Sequence, residues 1–161
     1  MDITKILIGI DESKYADHAA QYGFELARKL NASVGIVSIV QPIPATVTPI
    51  SDTGFGMPFE GAADINSVEL METQNQAADS LLNRIVAKYG TNLQVTQYTD
   101  YGSSADGIIN CSATFGADLI IIGTHKRSGF DRLLMGSVAE EVVRNADVPV
   151  MVVPMKEDKV E

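Results

Sequence analysis

The sequence predicts an open, doubly wound α/β fold with a parallel sheet. Three observations carry that reading. Lys5 to Ile10 (KILIGI), Val34 to Val40 (VGIVSIV) and Leu119 to Ile122 (LIII) are almost unbroken apolar runs, the pattern of strands buried on both faces. Segments between such runs place apolar residues at helical spacing. Strand-like and helix-like segments then alternate along the chain, which implies parallel strands joined by helical crossovers on both faces.

The elements follow in order. Asp11, Glu12 and Ser13 form the turn after the first strand, with Ser13 as helix N-cap. Ala16, Ala19, Ala20, Phe24, Ala27 and Leu30 share one helix face, and Asn31 stops that helix. After the second strand, Gln41 to Ala63 carries four prolines and no period. A loop of that length implies a role, as a mobile flap or an interaction segment. Val68, Met71, Ala78, Leu81, Leu82, Ile85 and Tyr89 predict a helix over 64–89, stopped by Gly90. Leu93 to Thr99 (LQVTQYT) alternates apolar and polar residues, which predicts an edge strand with one exposed face. Gly102, Ser103 and Ser104 lead into a helix with Ala105, Ile108, Ile109 and Ser112 inward, stopped at Gly116.

The stretch from Asp118 to Pro154 is the most informative. It predicts a strand to Ile122, a loop from Gly123 to Met135, a helix opening at Gly136-Ser137 and a last strand from Val148 to Val153. Pro149 falls inside that strand, which points to an edge. A strand feeding a glycine-bearing loop that ends at a helix N-terminus suits an anion, because unpaired N–H groups and the positive end of the helix dipole converge there. Ser137-Val138-Ala139-Glu140 reads as a capping box. Capping occupies only some of those N–H groups, and Gly136 allows close approach to the backbone.

Composition narrows the function. The chain has 161 residues, 45% of them hydrophobic and 20% charged, as in an ordinary soluble domain. No apolar stretch approaches the roughly 20 residues that span a bilayer. The N-terminus has no signal-peptide pattern, so the expected compartment is the cytoplasm. A net charge of −9 opposes nucleic-acid and membrane docking, which depend on cationic surfaces. It leaves room for a small phosphorylated ligand, since Lys126, Arg127 and Arg132 concentrate positive charge in the loop. One cysteine, Cys111, and two histidines exclude an internal disulfide and disfavour a Cys/His zinc site. Cys111 is expected to pack within its helix and His18 to lie on the surface.

These motifs resemble the universal stress protein family over nearly the whole chain. Its nucleotide-binding members carry Gly-x2-Gly-x9-Gly-(Ser/Thr), and that frame falls on Gly123, Lys126, Gly136 and Ser137. The opening ILIGIDES, the Tyr101-Gly102 turn, the segments GTHKRSG and RLLMGSVAE, and the closing VPVMVVP are also typical of the family. The chain departs from it at Lys126, which stands where the motif has its second glycine. A positive φ there would strain a lysine by about 1–2 kcal/mol. The resemblance implies one domain over 1–161, with 41–63 as a long mobile loop and 155–161 as a tail. It implies a five-stranded sheet in the order 3-2-1-4-5.

It also implies an adenine-nucleotide ligand, ATP first and AMP as the alternative, with Mg²⁺ carried by the phosphates. Asp11 would sit near the adenine or ribose, Val40 would pack on the base, and Gly123 would approach the ribose or phosphates. Gly136, Ser137 and Val138 would hold phosphate. In the loop, His125 would donate a hydrogen bond, Lys126 and Arg127 would supply charge, and Gly129 would supply flexibility. No residue offers itself as a general base, so slow ATP hydrolysis at most is expected. The family commonly forms homodimers, here through Val148 to Val153. Two alternatives stay open. One is a family member without nucleotide that acts through protein–protein contacts. The other is a phospho-acceptor receiver domain built on Asp11, Glu12, Asp100 and Lys126, which requires strand order 2-1-3-4-5.

Overall fold

The computed structural model describes residues 2–42, 62–126 and 136–156. Its elements are β1 (Lys5–Gly9), α1 (Lys14–Leu30), β2 (Ser33–Val40), α2 (Ala62–Tyr89), β3 (Val95–Tyr101), α3 (Ser104–Phe115), β4 (Leu119–Lys126), α4 (Ser137–Asn145) and β5 (Val150–Lys156). All four strand pairings are parallel, and the order is β3-β2-β1-β4-β5. That order overturns the receiver alternative, in which β3 would lie inside the sheet.

Period-two alternation in the central strands builds two cores. Ile6, Ile8 and Ile10 meet α1 and α2 on one face. Leu7 meets α3 and α4 on the other. The helices start and stop as their sequences dictate. The Ser13 hydroxyl accepts the Ala16 N–H at 3.2 Å, and Asn31 ends α1 in the left-handed region at φ 53°. Asp17 lies in the first turn of α1, with Arg28 and Lys29 in the last, each matching the helix dipole. Gly116 ends α3 at φ 70°.

Several boundaries differ from the sequence reading. β4 runs on to Lys126, opposite Lys156 of β5, so Gly123, Thr124, His125 and Lys126 belong to the ladder rather than the loop. Lys126 is therefore extended backbone, and the strain of a positive φ does not arise. β5 begins at Val150. Pro149, which has no N–H to give a ladder, precedes it and accepts the Ile120 N–H through its carbonyl at 3.0 Å. α2 begins at Ala62, and of the predicted 41–63 loop residues 43–61 lie outside the described residues.

Only the second half of α2 packs as its apolar pattern suggests. Ala78, Leu81, Leu82 and Ile85 are buried, whereas Val68 and Met71 are 61% and 52% exposed. The reason is length. The 28 residues of α2 extend about 42 Å, while the eight of β2 extend about 26 Å, so the first turns overrun the sheet.

β3 is an edge strand, but its polar face is not bare. Gln97, Thr99 and Tyr101 donate side-chain hydrogen bonds to Asn83, Asp79 and Asn75 of α2 at 3.3, 3.2 and 2.5 Å. Steps of four in a helix rise about 6 Å and steps of two in a strand about 6.6 Å, so the two rows stay matched. Tyr98 points the other way, edge-on to Phe115.

Asp118 ties the start of β4 to the start of β1. Its Oδ2 accepts Thr4 N–H at 2.8 Å, Thr4 Oγ1–H at 2.9 Å and Lys5 N–H at 3.0 Å. These bonds, the Thr4 backbone bond foremost, hold the carboxyl below its ordinary 3.8. A depressed pKa contributes stability that is complete above the unfolded value and is lost as pH falls through the folded one. Asp118→Ala is expected to unfold at a lower temperature than the wild type at pH 7, with the gap closing on acidification below pH 4. Thermal melts from pH 7 to pH 2.5 check this, and a gap unchanged by acid would contradict it.

Candidate functional site

In an open sheet ligands collect beyond the C-terminal strand ends, where the strand order reverses. Here the reversal lies between β1 and β4, because the chain winds from β1 toward β3 on one side and from β4 toward β5 on the other. A cavity of about 120 Å³ opens at that point. Gly9, Ile10 and Asp11 line it from β1, Val37 and Ile39 from β2, and Ile122 and Gly123 from β4. Ala16 closes it from α1, Ser104 and Ile108 from α3, and Val138 and Ala139 from α4.

Gly123 lines this crevice and Gly136 precedes the helix that closes it, and each is glycine for a different reason. A Cβ on Gly123 would stand 2.2 Å from the Tyr15 carbonyl oxygen and 3.1 Å from the Ala16 nitrogen. The absent side chain is therefore accounted for by the first turn of α1, which packs directly on β4. Gly136 has open space, its nearest neighbour Thr124 Oγ1 lying 4.0 Å from a built Cβ. What requires glycine there is the backbone, at φ 82° and ψ 146°.

Gly136 also changes the role of Ser137. The capping box expected over Ser137 to Glu140 does not form. Gly136 occupies the cap position and has no side chain to offer, so Ser137 is the first helical residue. Glu140 instead pairs with Arg144 one turn on, at 2.8 Å. The cap position of α4 thus supplies no side-chain acceptor of the kind that Ser13 gives α1, and the first turn lies beside the cavity through Val138 and Ala139.

The other expected residues fall as follows. Asp11 lines the cavity, and its Oδ1 accepts the Ser13 N–H at 2.8 Å, which fixes the carboxylate at the mouth of α1. Val40 is buried at the end of β2. It shares parity with Val34 and Ile36 of the α1/α2 core, so its side chain does not line the cavity. His125 and Lys126 continue β4 opposite Met155 and Lys156, and their side chains lie outside what is described. Arg127 and Gly129 lie outside the described residues, as does Arg132 of the basic cluster. Cys111 is buried in the α3/α4 core, and burial, followed by the charge of Asp100, raises its thiol pKa. Among the described residues no cluster of His, Cys, Asp or Glu is arranged to hold a metal ion, and no helix is long and apolar enough to cross a membrane.

Sequence reading missed Ser104, Ile39 and Ile108. The available signal was position. Ser104 opens the helix after β3, and Ile39 lies at the C-terminal end of β2, where open sheets gather ligands.

The sequence profile of the universal stress protein family matches residues 2–154. The chain belongs to that family. Universal stress protein MJ0531 of Methanocaldococcus jannaschii is 32% identical over 155 residues, covering 95% of this chain and 84% of the relative. The family fold recurs in the UspA structure from Lactobacillus plantarum, with TM-score 0.72, 20% identity and coverage of 95% of this chain and 99% of that one. It recurs again in a family protein from Arabidopsis thaliana with AMP bound, with TM-score 0.62, 16% identity and coverage of 98% and 96%.

Gly123→Ala forces a methyl group into the Tyr15 carbonyl. It is expected to lower stability by about 1–3 kcal/mol, the usual range for overpacking, with or without nucleotide present. Urea unfolding measures the loss, and a variant as stable as the wild type would refute the packing role.

Proposed function

We propose that this protein binds an adenine nucleotide, ATP first and AMP second, as a cytoplasmic stress-response regulator with little or no turnover. One observation carries the reading. An apolar crevice at the β1/β4 reversal adjoins the N-terminus of α4, where a positive-φ glycine holds the cap position and brings no capping side chain of its own. At about 120 Å³ the crevice is smaller than the roughly 300–1,000 Å³ of pockets that enclose a whole ligand. It takes a ring system and leaves the phosphate tail outside. The tail then meets the N–H groups of Ser137 and Val138, where dipole and donors both favour negative charge. AMP bound to the Arabidopsis family member supports the same class of ligand.

Asp11 is the acidic side chain of the crevice, and one of its oxygens is engaged by Ser13. That set fits Mg²⁺ held by nucleotide phosphates rather than by a protein cage. His125, Lys126, Arg127 and Gly129 remain assigned to the phosphate side on the strength of the motif alone.

Two predictions follow from this reading. Denatured protein is expected to release an adenine nucleotide detectable by mass spectrometry. ATP at 100 times its dissociation constant is expected to stabilise the fold by about 2.7 kcal/mol, and Gly136→Asp, which sets a carboxylate against the phosphates, is expected to abolish that shift. An unchanged shift in Gly136→Asp would remove the phosphate site. An absent shift in the wild type would favour a member acting through protein contacts.

A separate prediction concerns assembly. β5 is an edge strand whose Met151 is 37% exposed, and an uncovered apolar edge invites pairing. A homodimer joined through β5 covers it. Light scattering at micromolar concentration is expected to give twice the monomer mass, and a monomeric mass would contradict this.

A further inference from the structure

Ser104 opens α3 and lines the crevice. Its Oγ accepts a hydrogen bond from Gln41 Nε2 at 3.1 Å. Gln41 is itself held, because its carbonyl oxygen accepts Gln74 Nε2 of α2 at 3.5 Å. A serine hydroxyl has one proton and two acceptor sites. With the Gln41 amide donating to that oxygen, the proton remains to be given away. The other polar side chain in the lining, Asp11, is a carboxylate and accepts; the remaining lining residues are apolar or glycine. Among the described residues the crevice therefore confronts a ring with one side-chain donor and one side-chain acceptor in apolar surroundings.

The geometry points to Ser104 as the residue that reads a ring nitrogen of the bound base, its hydroxyl donating to that nitrogen. This rests on the nucleotide-binding reading above. A base that offers no acceptor at that place would leave a donor unpaired, which is how a polar site rejects a near-isostere. Asp11 complements it by accepting from an exocyclic amine or a ribose hydroxyl. Adenosine nucleotides carry both kinds of group.

Isothermal titration of wild type and Ser104→Ala with ATP and its 1-deaza, 3-deaza and 7-deaza analogues tests this. Each analogue replaces one ring nitrogen by C–H. Ser104→Ala is expected to bind ATP about 5- to 10-fold more weakly, the worth of one hydrogen bond. One of the three analogues is expected to bind the wild type with the same deficit and to lose nothing further in Ser104→Ala. ATP affinity within twofold of wild type in Ser104→Ala overturns the role of Ser104 and leaves nucleotide binding standing. An equal loss for all three analogues makes Ser104 a packing residue and also overturns it. A wild type that binds none of the four removes nucleotide binding itself, and this inference with it.

Discussion

The contact on which the architecture depends is backbone against backbone. Gly123 in β4 lies against the carbonyl of Tyr15 and the N–H of Ala16, at distances no side chain would allow. The rest of the buried face of α1 follows the same rule, with Ala16, Ala19, Ala20, Gly23 and Ala27 around a single large residue, Phe24. Small residues let the helix lie close over the central strands. Closeness in turn sets Ala16 and Asp11 at the C-terminal end of β1, where both line the crevice.

The opposite face is built by the same means. A Cβ on Gly107 would stand 2.5 Å from Ile39 Cδ1, so α3 settles onto β2 through that glycine. Ser104 lies one helical turn before Gly107 and shares its face. Packing that looks purely structural thus delivers a hydroxyl to the crevice. On α4 the logic is conformational. A positive φ at Gly136 turns the chain into the helix, and the glycine brings no side chain of its own to cap it, which suits an external acceptor.

The buried face of α2 is supplemented by a row of polar contacts. The ladder to β3 is joined by Asp17, whose carboxylate takes Lys88 Nζ at 2.9 Å and Tyr89 OH at 2.9 Å. Desolvation opposes ionisation of Asp17, but these two donors outweigh it and its pKa is lowered. Exposed pairs of this kind contribute little individually. Their value here is register, since matched rows of donors and acceptors allow one placement of a long helix along a short strand.

Much of this was legible in the residues alone. Unbroken apolar runs marked the buried strands, and their alternation with helical patterns marked a parallel sheet. Ser13, Asn31 and Gly116 marked helix ends, because each acts through its own local backbone. Asp11 was named from its place at the end of the first strand, and it lines the cavity there. What could not be read was which neighbour each residue meets. Gly123 resembled a ligand-facing glycine, yet the constraint on it comes from Tyr15, 108 positions away in the chain. Ser137 resembled a cap until the φ of Gly136 moved the helix start. Val68 and Met71 repeated like core residues, but α2 outruns the sheet that would bury them. Val40 sat at the right strand end with its side chain on the other face. Local periodicity and turn chemistry are written in neighbouring residues. Contacts between distant segments arise only when the sheet closes and the helices pack, and those contacts built the crevice.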